Sequence, residues 1–245
     1  MGSGYSPRAI PRPGEAALPE RTVDVWLASL DLVRDPVGPE ASPLSRDESA
    51  RATAMAAAPR RRFMASRILL RLLISAYLGD EPQEIEFSYG SSGKPSMAGR
   101  PASAPLHFNL SHSRDRVLIA VARTPVGIDL ETPRRLEDLE GLARRFFSQG
   151  EVRALARIPA AHRLDAFFAC WTRKEAYLKM IGQGISKGLK SVEVAFSPGQ
   201  EPAVISSDQR PDAQCSMHHL EPEPGLVGAL AVQGGADTVN CWSVR

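Results

Sequence analysis

The chain has 245 residues, of which 43% are hydrophobic and 24% are charged, and its formal net charge is +2. These values are typical of an ordinary globular protein, either one large domain or two closely joined halves. The small net charge gives no indication of a nucleic-acid partner, and no apolar run has the length of a membrane span or the layout of a signal peptide. Three widely spaced cysteines match no disulfide or metal pattern, so we expect a cytoplasmic protein.

The first half of the chain predicts a short tail followed by strands and two helices. Residues 1–20 are rich in Pro, Gly and Arg and predict a flexible tail. In residues 21–124 the pattern predicts strands at 22–30, 85–88, 106–110 and 117–123, helices at 45–59 and 60–78, and a long loop at 89–105. Ser45 and Glu48 have the spacing of a capping box, and Gly79 ends the second helix.

Residues 125–245 predict a second half with its own helices and strands. A strand at 128–131 is expected to continue the first sheet. It is followed by helices at 136–147, 151–157 and 163–181, and by strands at 192–196, 204–206 and 226–232. Residues 107–123 and 215–233 both contain a polar turn followed by an apolar strand. This weak similarity favours an α+β protein with two similar halves.

Two carboxylates at alternate positions are the first candidate chemistry. Asp129 and Glu131 follow apolar residues in an extended segment, so both side chains should leave the same face of a strand. Gly127 precedes them and allows close approach of another backbone. Carboxylates grouped in this way suit a hard cation such as Mg²⁺. The alternative is a strand end with two solvated acids.

A third carboxylate lies on a predicted helix. The apolar stripe of that helix is formed by Phe168, Trp171 and Leu178, and Glu175 falls within the stripe. A carboxylate that faces a core is costly unless it is paired or bound to a metal. Lys179 shares its face one turn later, where it could form a salt bridge or bind phosphate, whereas Lys174 points elsewhere and is expected to be solvated.

Several other side chains have both a structural and a functional interpretation. The segment 49–79 contains six arginines and no acid, which indicates either a phosphate site or a solvated helix face. His112 falls in a predicted turn, where a hydrogen-bonding role is common, and Lys94 falls in the predicted loop, where solvent exposure is expected. Glu151 has capping-box spacing from Ser148, which fully explains it without catalysis. No glycine-rich phosphate loop, nucleophile elbow or zinc-protease pair is present.

Six segments, in consistent order from about residue 44 to 196, make the chain similar to the Sfp-type 4′-phosphopantetheinyl transferases. They are Arg61-Arg62-Phe63 through Arg67, Gly93-Lys94-Pro95, Phe108-Asn109-Leu110-Ser111-His112-Ser113, Val126 to Glu131, Arg145-Phe146-Phe147-Ser148 with Glu151, and Trp171 to Lys179. One such segment would be weak evidence. Six in the same order are highly specific.

The resemblance implies a monomer with two pseudo-symmetric α+β halves and the active site at their interface. It implies an N-terminal half, residues 21–124, that contacts coenzyme A, and a C-terminal half, residues 125–245, with the metal site and the docking surface for the carrier protein. The implied reaction transfers the phosphopantetheinyl arm of coenzyme A to a serine of an acyl or peptidyl carrier protein. Adenosine 3′,5′-bisphosphate leaves, and Mg²⁺, or alternatively Mn²⁺, is required.

The resemblance also implies roles for individual residues. Metal ligands are implied at Asp129, Glu131 and Glu175, a general base at Glu151, and a catalytic phosphate contact at Lys179. Further contacts with coenzyme A are implied at Arg62, Arg67, Lys94, Ser111 and His112. The lysines that the family carries before Arg61-Arg62-Phe63 have no clear counterparts here, so the arginine that binds the 3′-phosphate is left open.

Three other functions are considered. A short trimeric holo-acyl-carrier-protein synthase resembles only one half of this chain, so the length argues against it. A non-catalytic module that binds coenzyme A or a carrier protein is disfavoured because the three acids and Lys179 are all present. An unrelated Mg²⁺-dependent phosphohydrolase would release phosphate without any carrier protein.

Overall fold

The computed structural model describes residues 4–33, 42–90, 93–99, 105–183, 188–208 and 214–245. Its helices are α1 (Arg46–Thr53), α2 (Ala57–Leu78), α3 (Leu139–Phe146), α4 (Gln149–Arg157) and α5 (Ala160–Met180). Its strands are β1 (Ser6–Arg8), β2 (Thr22–Ser29), β3 (Phe87–Tyr89), β4 (Pro95–Met97), β5 (His107–Ser113), β6 (Arg116–Ala122), β7 (Val126–Glu131), β8 (Val192–Ala195), β9 (Ala203–Ser207), β10 (Cys215–Leu220), β11 (Val227–Gln233) and β12 (Thr238–Val244).

Two sheets carry the fold, and the same connectivity builds both. In the first half, β2 leads to the long helix α2, the hairpin β3–β4, and strands β5 and β6, with sheet order β2-β6-β5. In the second half, β7 leads to α5, the hairpin β8–β9, and strands β10 and β11, with sheet order β7-β11-β10. The predicted α+β fold with two pseudo-symmetric halves is therefore confirmed.

The alternation of side chains along the strands explains how the layers pack. In β2, Val23, Val25 and Leu27 face the second sheet, whereas Trp26 and Ala28 face α2. Strands β6 and β7 contribute to the same core between the sheets, while α5 covers the outer face of the second sheet. Because β7 uses every second residue for this core, its remaining side chains point toward α5.

The ends of the chain correct two predictions about the domain boundaries. Residues 6–8 pair as β1 with β12, and Leu18 is buried, so the described part of the predicted flexible tail is packed against the protein; residues 1–3 lie outside the described part. β12 pairs in parallel with β2, so residues 238–244 complete the N-terminal sheet and not the C-terminal half. Such a pairing joins residues more than 200 positions apart and leaves no local sequence signal.

Several element boundaries also differ from the prediction. β7 does not continue the first sheet but forms an edge of the second. β5 extends to Ser113, so His112 lies on a strand and not in a turn. α1 ends at Thr53 and α2 begins at Ala57, with Pro59 in its first turn, where a missing N–H is tolerated. β4 lies within the predicted loop 89–105, of which 91–92 and 100–104 are outside the described residues.

Candidate active site

β7 presents two carboxylates to α5. Val126, Ile128 and Leu130 enter the core between the sheets, so Asp129 and Glu131 project from the opposite face together with Gly127. Asp129 is buried and Glu131 is half-buried. Burial, and after it the charge of Asp129, raise the pKa of Glu131 above its ordinary value. The alternation in the sequence therefore predicts the correct face for both acids.

Glu175 on α5 is the third acid of this cluster. Its exposed fraction is only 3%, as its position in the apolar stripe predicts. The pKa of Glu175 is raised from 4.5 to about 7. Burial is the largest cause, and the charges of Asp129 and Glu131 also raise the pKa, whereas the charge of Lys179 lowers it. Asp129 Oδ2 and Glu175 Oε2 are both buried and accept no hydrogen bond from the described residues. The cluster thus contains carboxylate oxygens that need a cation or a proton.

Lys179, one turn after Glu175, supplies the positive charge of the cluster. Its Nζ donates to Asp129 Oδ1 at 2.6 Å and lies 3.2 Å from the carbonyl oxygen of Ile128. The ammonium is therefore paired with Asp129 and not with Glu175, the partner that the helical spacing favours. Its side chain is 22% exposed and accessible to a ligand.

β5 connects the N-terminal half to this cluster. Ser111 Oγ donates to Asp129 Oδ1 at 2.8 Å and lies 3.1 Å from Lys179 Nζ. Asn109 Oδ1 accepts from the backbone N–H of Ile128 at 2.8 Å, a contact that the sequence analysis missed. A polar residue at every second position of an otherwise apolar strand is the signal that could have identified it. His112 alternates with Ser111 and is exposed, so the structure does not bring it to the acids.

Lys94 fixes the loop before β4 to the C-terminal half. Its Nζ donates to the carbonyl oxygens of Lys179 at 2.5 Å and of Val126 at 3.2 Å. Burial, and after it the charge of Lys179, lower the pKa of Lys94 from 10.5 to about 8. The expectation of an exposed loop lysine is wrong, because the amine lies at the junction between the two halves.

Comparison with known proteins identifies the family. A model of the 4′-phosphopantetheinyl transferase superfamily matches residues 125–231, and a model of the N-terminal part of 4′-phosphopantetheinyl transferase matches residues 41–124. The transferase HetI of Nostoc sp. (strain PCC 7120) is 41% identical over 95% of this chain and 97% of its own length. Sfp of Bacillus subtilis (strain 168) is 31% identical over 66% of this chain and 70% of its own.

The chain belongs to the 4′-phosphopantetheinyl transferase superfamily. It is an enzyme that transfers phosphopantetheine to carrier proteins. The two matched segments together span both halves of the fold, in agreement with the length argument against a single-half synthase. None of the helices in the described part of this transferase is long and apolar enough to cross a membrane.

The side chain of Glu151 is buried and hydrogen-bonded within this transferase. Its backbone and side chain form the predicted capping box with Ser148 at the start of α4. Its Oε2 accepts from Lys174 Nζ at 2.5 Å and its Oε1 accepts from the backbone N–H of Val194 at 2.9 Å. Both carboxylate oxygens are thus used, and the exposed fractions of Glu151 and Lys174 are 1% and 0%. Lys174 is therefore not solvated, and the carboxylate of Glu151 is closed off from solvent in this geometry.

The arginines of α2 divide into buried and exposed groups. Arg71 Nε donates to Glu48 Oε2 at 2.7 Å, so it stabilises the junction of α1 and α2. Arg67 lies between the rings of Phe63 and Tyr89, and its buried Nη1 donates to no described residue. Burial is the largest cause of the lowered pKa of Arg67. Arg62 is exposed and makes no described contact with the acid cluster.

Proposed function

We propose that this transferase takes its phosphopantetheinyl group from coenzyme A and transfers it to a serine hydroxyl of an acyl or peptidyl carrier protein in a reaction that depends on Mg²⁺. The observation that carries the metal requirement is the pair of buried carboxylate oxygens, Asp129 Oδ2 and Glu175 Oε2, that lack a hydrogen-bond donor among the described residues. Oxygen donors of this kind fit Mg²⁺, and Mn²⁺ is an alternative ion.

Asp129, Glu131 and Glu175 would hold the ion. Within the described residues these acids do not form a preformed group of three ligands, and Asp129 pairs with Lys179. When bound, a divalent cation offsets negative charge on the phosphate groups of the donor. Two of the three acids are already buried next to each other, so a cation would also relieve their mutual repulsion.

Lys179 and Lys94 would bind the pyrophosphate of coenzyme A. An ammonium has three donors, and Lys94 uses two of them on the carbonyl oxygens of Lys179 and Val126, which leaves one for a phosphate. Lys179 lies beside the acids with part of its side chain exposed, so it can neutralise the leaving adenosine 3′,5′-bisphosphate. Ser111 would orient Lys179 and Asp129 by its two contacts.

Arg67 is the better candidate of the two α2 arginines for a phosphate of the donor. Its guanidinium lies between Phe63 and Tyr89, and its Nη1 has no acceptor among the residues that the structure describes. A fixed guanidinium with an unused donor binds phosphate at little cost in side-chain entropy. Arg62 and His112 would act at the exposed rim of the same half, where contributions are smaller because solvent screens them.

The reaction balances with a single phosphoryl transfer. The oxygen of the carrier serine forms a bond to the β-phosphorus, and the bond from that phosphorus to the bridging oxygen breaks. The bridging oxygen keeps the electron pair and leaves as part of adenosine 3′,5′-bisphosphate, and the serine proton passes to solvent water. Glu151 is not assigned as the acceptor of this proton, because its carboxylate is 1% exposed and paired with Lys174 inside the protein. Its pair with Lys174 instead holds α4 against α5, so Glu151 positions the helix that carries Glu175.

The test is intact-protein mass spectrometry of an apo carrier protein incubated with this transferase, coenzyme A and Mg²⁺, with a parallel sample that contains EDTA. We expect the carrier to gain one phosphopantetheinyl group only without EDTA. A gain that persists in EDTA would contradict the metal requirement. Release of phosphate without a carrier protein would indicate a phosphohydrolase, and binding of coenzyme A without any transfer would indicate a non-catalytic module.

A further inference from the structure

A cavity of about 1110 Å³ lies in the C-terminal half between α5, the turn after β8 and the loop that joins β10 to β11. Asp129, Glu131, Glu175 and Lys179 are not among the residues that line it, so the cavity is separate from the acid cluster. Nothing in the proposed reaction uses this space. Its floor contains Arg173 and its wall contains His219.

Arg173 is a buried cation without a matching anion. Its exposed fraction is 5%. Its Nη1 donates to the carbonyl oxygen of Ala195 at 2.5 Å, but its buried Nε donates to nothing within the described residues, and no carboxylate of that part of the chain forms an ion pair with it. A buried charge that lacks a partner is costly, and natural proteins usually supply a partner or bind one.

His219 provides a second unused polar atom beside the first. Its Nδ1 is buried and has no hydrogen-bond partner in the described residues, while its Nε2 lies 3.4 Å from Glu221 Oε1. Burial, and after it the charge of Arg173, lower the pKa of His219. Arg173 of α5 and His219 of β10, each with one buried nitrogen that has no partner among the described residues, therefore line the same cavity.

We propose that this cavity binds a small molecule through a single carboxylate group, which pairs with Arg173 and accepts a hydrogen bond from His219 Nδ1 when the ring proton lies there and Nε2 gives up its contact with Glu221 Oε1. A guanidinium edge with a free Nε–H matches the two oxygens of a carboxylate. The rim of the cavity contains the exposed acids Asp165, Glu201 and Glu221, whose charges disfavour a polyanion. A monovalent carboxylate on an otherwise neutral or cationic body fits this combination, and the phosphate groups of coenzyme A do not.

The experiment follows the side-chain Nε–H resonances of arginine in the full-length ¹⁵N-labelled protein during titration with acetate and, separately, with inorganic phosphate. The Arg173 signal is assigned by its loss in Arg173→Lys. Arg163, on the same helix, is the internal control, because its Nε already donates to the carbonyl oxygen of Ile158. The ring resonances of His219 give an independent reading of the same site.

We expect acetate to shift the Arg173 and His219 signals with saturation, to leave Arg163 unchanged, and to bind at least tenfold more tightly than phosphate. Arg173→Lys should raise the acetate dissociation constant read from His219 about tenfold, and His219→Gln should raise the constant read from Arg173. Absence of a saturable shift would overturn the site. Equal or tighter binding of phosphate would overturn the ligand class. Unchanged affinity in a folded Arg173→Lys protein would overturn the assignment of the residue.

Discussion

Lys179 donates to Asp129 across 2.6 Å, and this contact joins α5 to β7 at the point where the two halves of the transferase meet. Ser111 of the N-terminal half donates to the same carboxylate oxygen, so one atom, Asp129 Oδ1, connects three elements. The second oxygen of Asp129 has no partner among the described residues. One lysine therefore compensates a cluster of three acids only in part, and the cluster retains capacity for a cation.

Removing one charge of this cluster should abolish transfer while the fold is kept. In Asp129→Asn the amide can still accept from Ser111, but its charge is lost. Because a metal supplies several kcal/mol of charge stabilisation, we expect a loss of at least about 100-fold in rate, measured by mass spectrometry of the carrier protein. Glu137→Gln, which changes an exposed acid, is the matched control and should retain activity. Substantial transfer by Asp129→Asn would contradict the assignment.

The raised pKa of Glu175 makes stability depend on pH in a defined direction. Between 4.5 and about 7 the folded carboxyl holds a proton that the unfolded chain has lost. The contribution of Glu175 to the free energy of unfolding in EDTA should therefore fall as pH rises through this window, by on the order of 3 kcal/mol, and change no further above it. Urea unfolding over this range measures the effect.

Two comparisons isolate the contribution of Glu175. Glu175→Gln should remove most of this decrease in EDTA, because the amide does not titrate. Excess Mg²⁺ should stabilise the wild type above pH 7 and have little effect near pH 4.5, where the carboxyl is protonated. A wild-type profile that stays level across the window, or an unchanged profile in the variant, would refute the proposed origin.

Local sequence pattern was sufficient for the carboxylates but not for their environment. Period-two alternation identified the shared face of Asp129 and Glu131, and period-3.6 spacing identified the burial of Glu175. The same rules misjudged Lys174, because its partner Glu151 lies 23 positions earlier on another helix. Which residues neutralise each other is decided by how α4 packs against α5, and no short-range period encodes that.

The local sequence pattern also does not predict which sheet each strand joins. The sequence pattern predicts that the strand at 128–131 continues the first sheet. In the structure it pairs with β11, about 100 positions later, and faces β6 across the core instead. The parallel addition of β12 to β2 has the same origin. Both results follow from burial of a shared apolar face, which constrains the fold as a whole.

The buried pair of Glu151 and Lys174 predicts a loss of stability and not of chemistry. In Glu151→Gln the ammonium of Lys174 stays buried without a full counter-charge, so we expect a decrease of about 3 kcal/mol in the free energy of unfolding. Turnover per folded molecule should fall by less than about tenfold. The double variant Glu151→Gln/Lys174→Met should recover much of the stability. Unchanged stability together with a rate loss of about 100-fold would restore the general-base role.

Lys94 predicts a different pH effect, on donor affinity. Its ammonium loses a proton near pH 8, so the KM for coenzyme A should rise above that pH. Lys94→Arg, which stays protonated, should keep the KM flat across the same range. Stability should change in the opposite sense: between about 8 and 10.5 the unfolded chain holds the extra proton, so the free energy of unfolding rises with pH. If the KM of the wild type for coenzyme A did not change with pH, Lys94 would not contribute to binding of the donor.

The close contact of Gly127 with α5 predicts that the stability of the site depends on the packing of α5 against β7. A Cβ at this position would lie 2.0 Å from the carbonyl oxygen of Ala176 and 2.3 Å from the backbone nitrogen of Met180. These are backbone atoms of α5, so the helix itself must move away. Gly127→Ala should therefore cost at least about 3 kcal/mol of stability, at the upper end of overpacking effects.

The same displacement should reduce activity in the molecules that remain folded. Glu175 and Lys179 lie on the turns of α5 that contact Gly127, so moving the helix separates them from Asp129. Gly90→Ala is the control, because a Cβ there meets nothing within 4 Å. Urea unfolding and transfer assays under folding conditions measure both effects. If Gly127→Ala matched Gly90→Ala in stability and rate, close packing of α5 on β7 would not be what holds the three acids together.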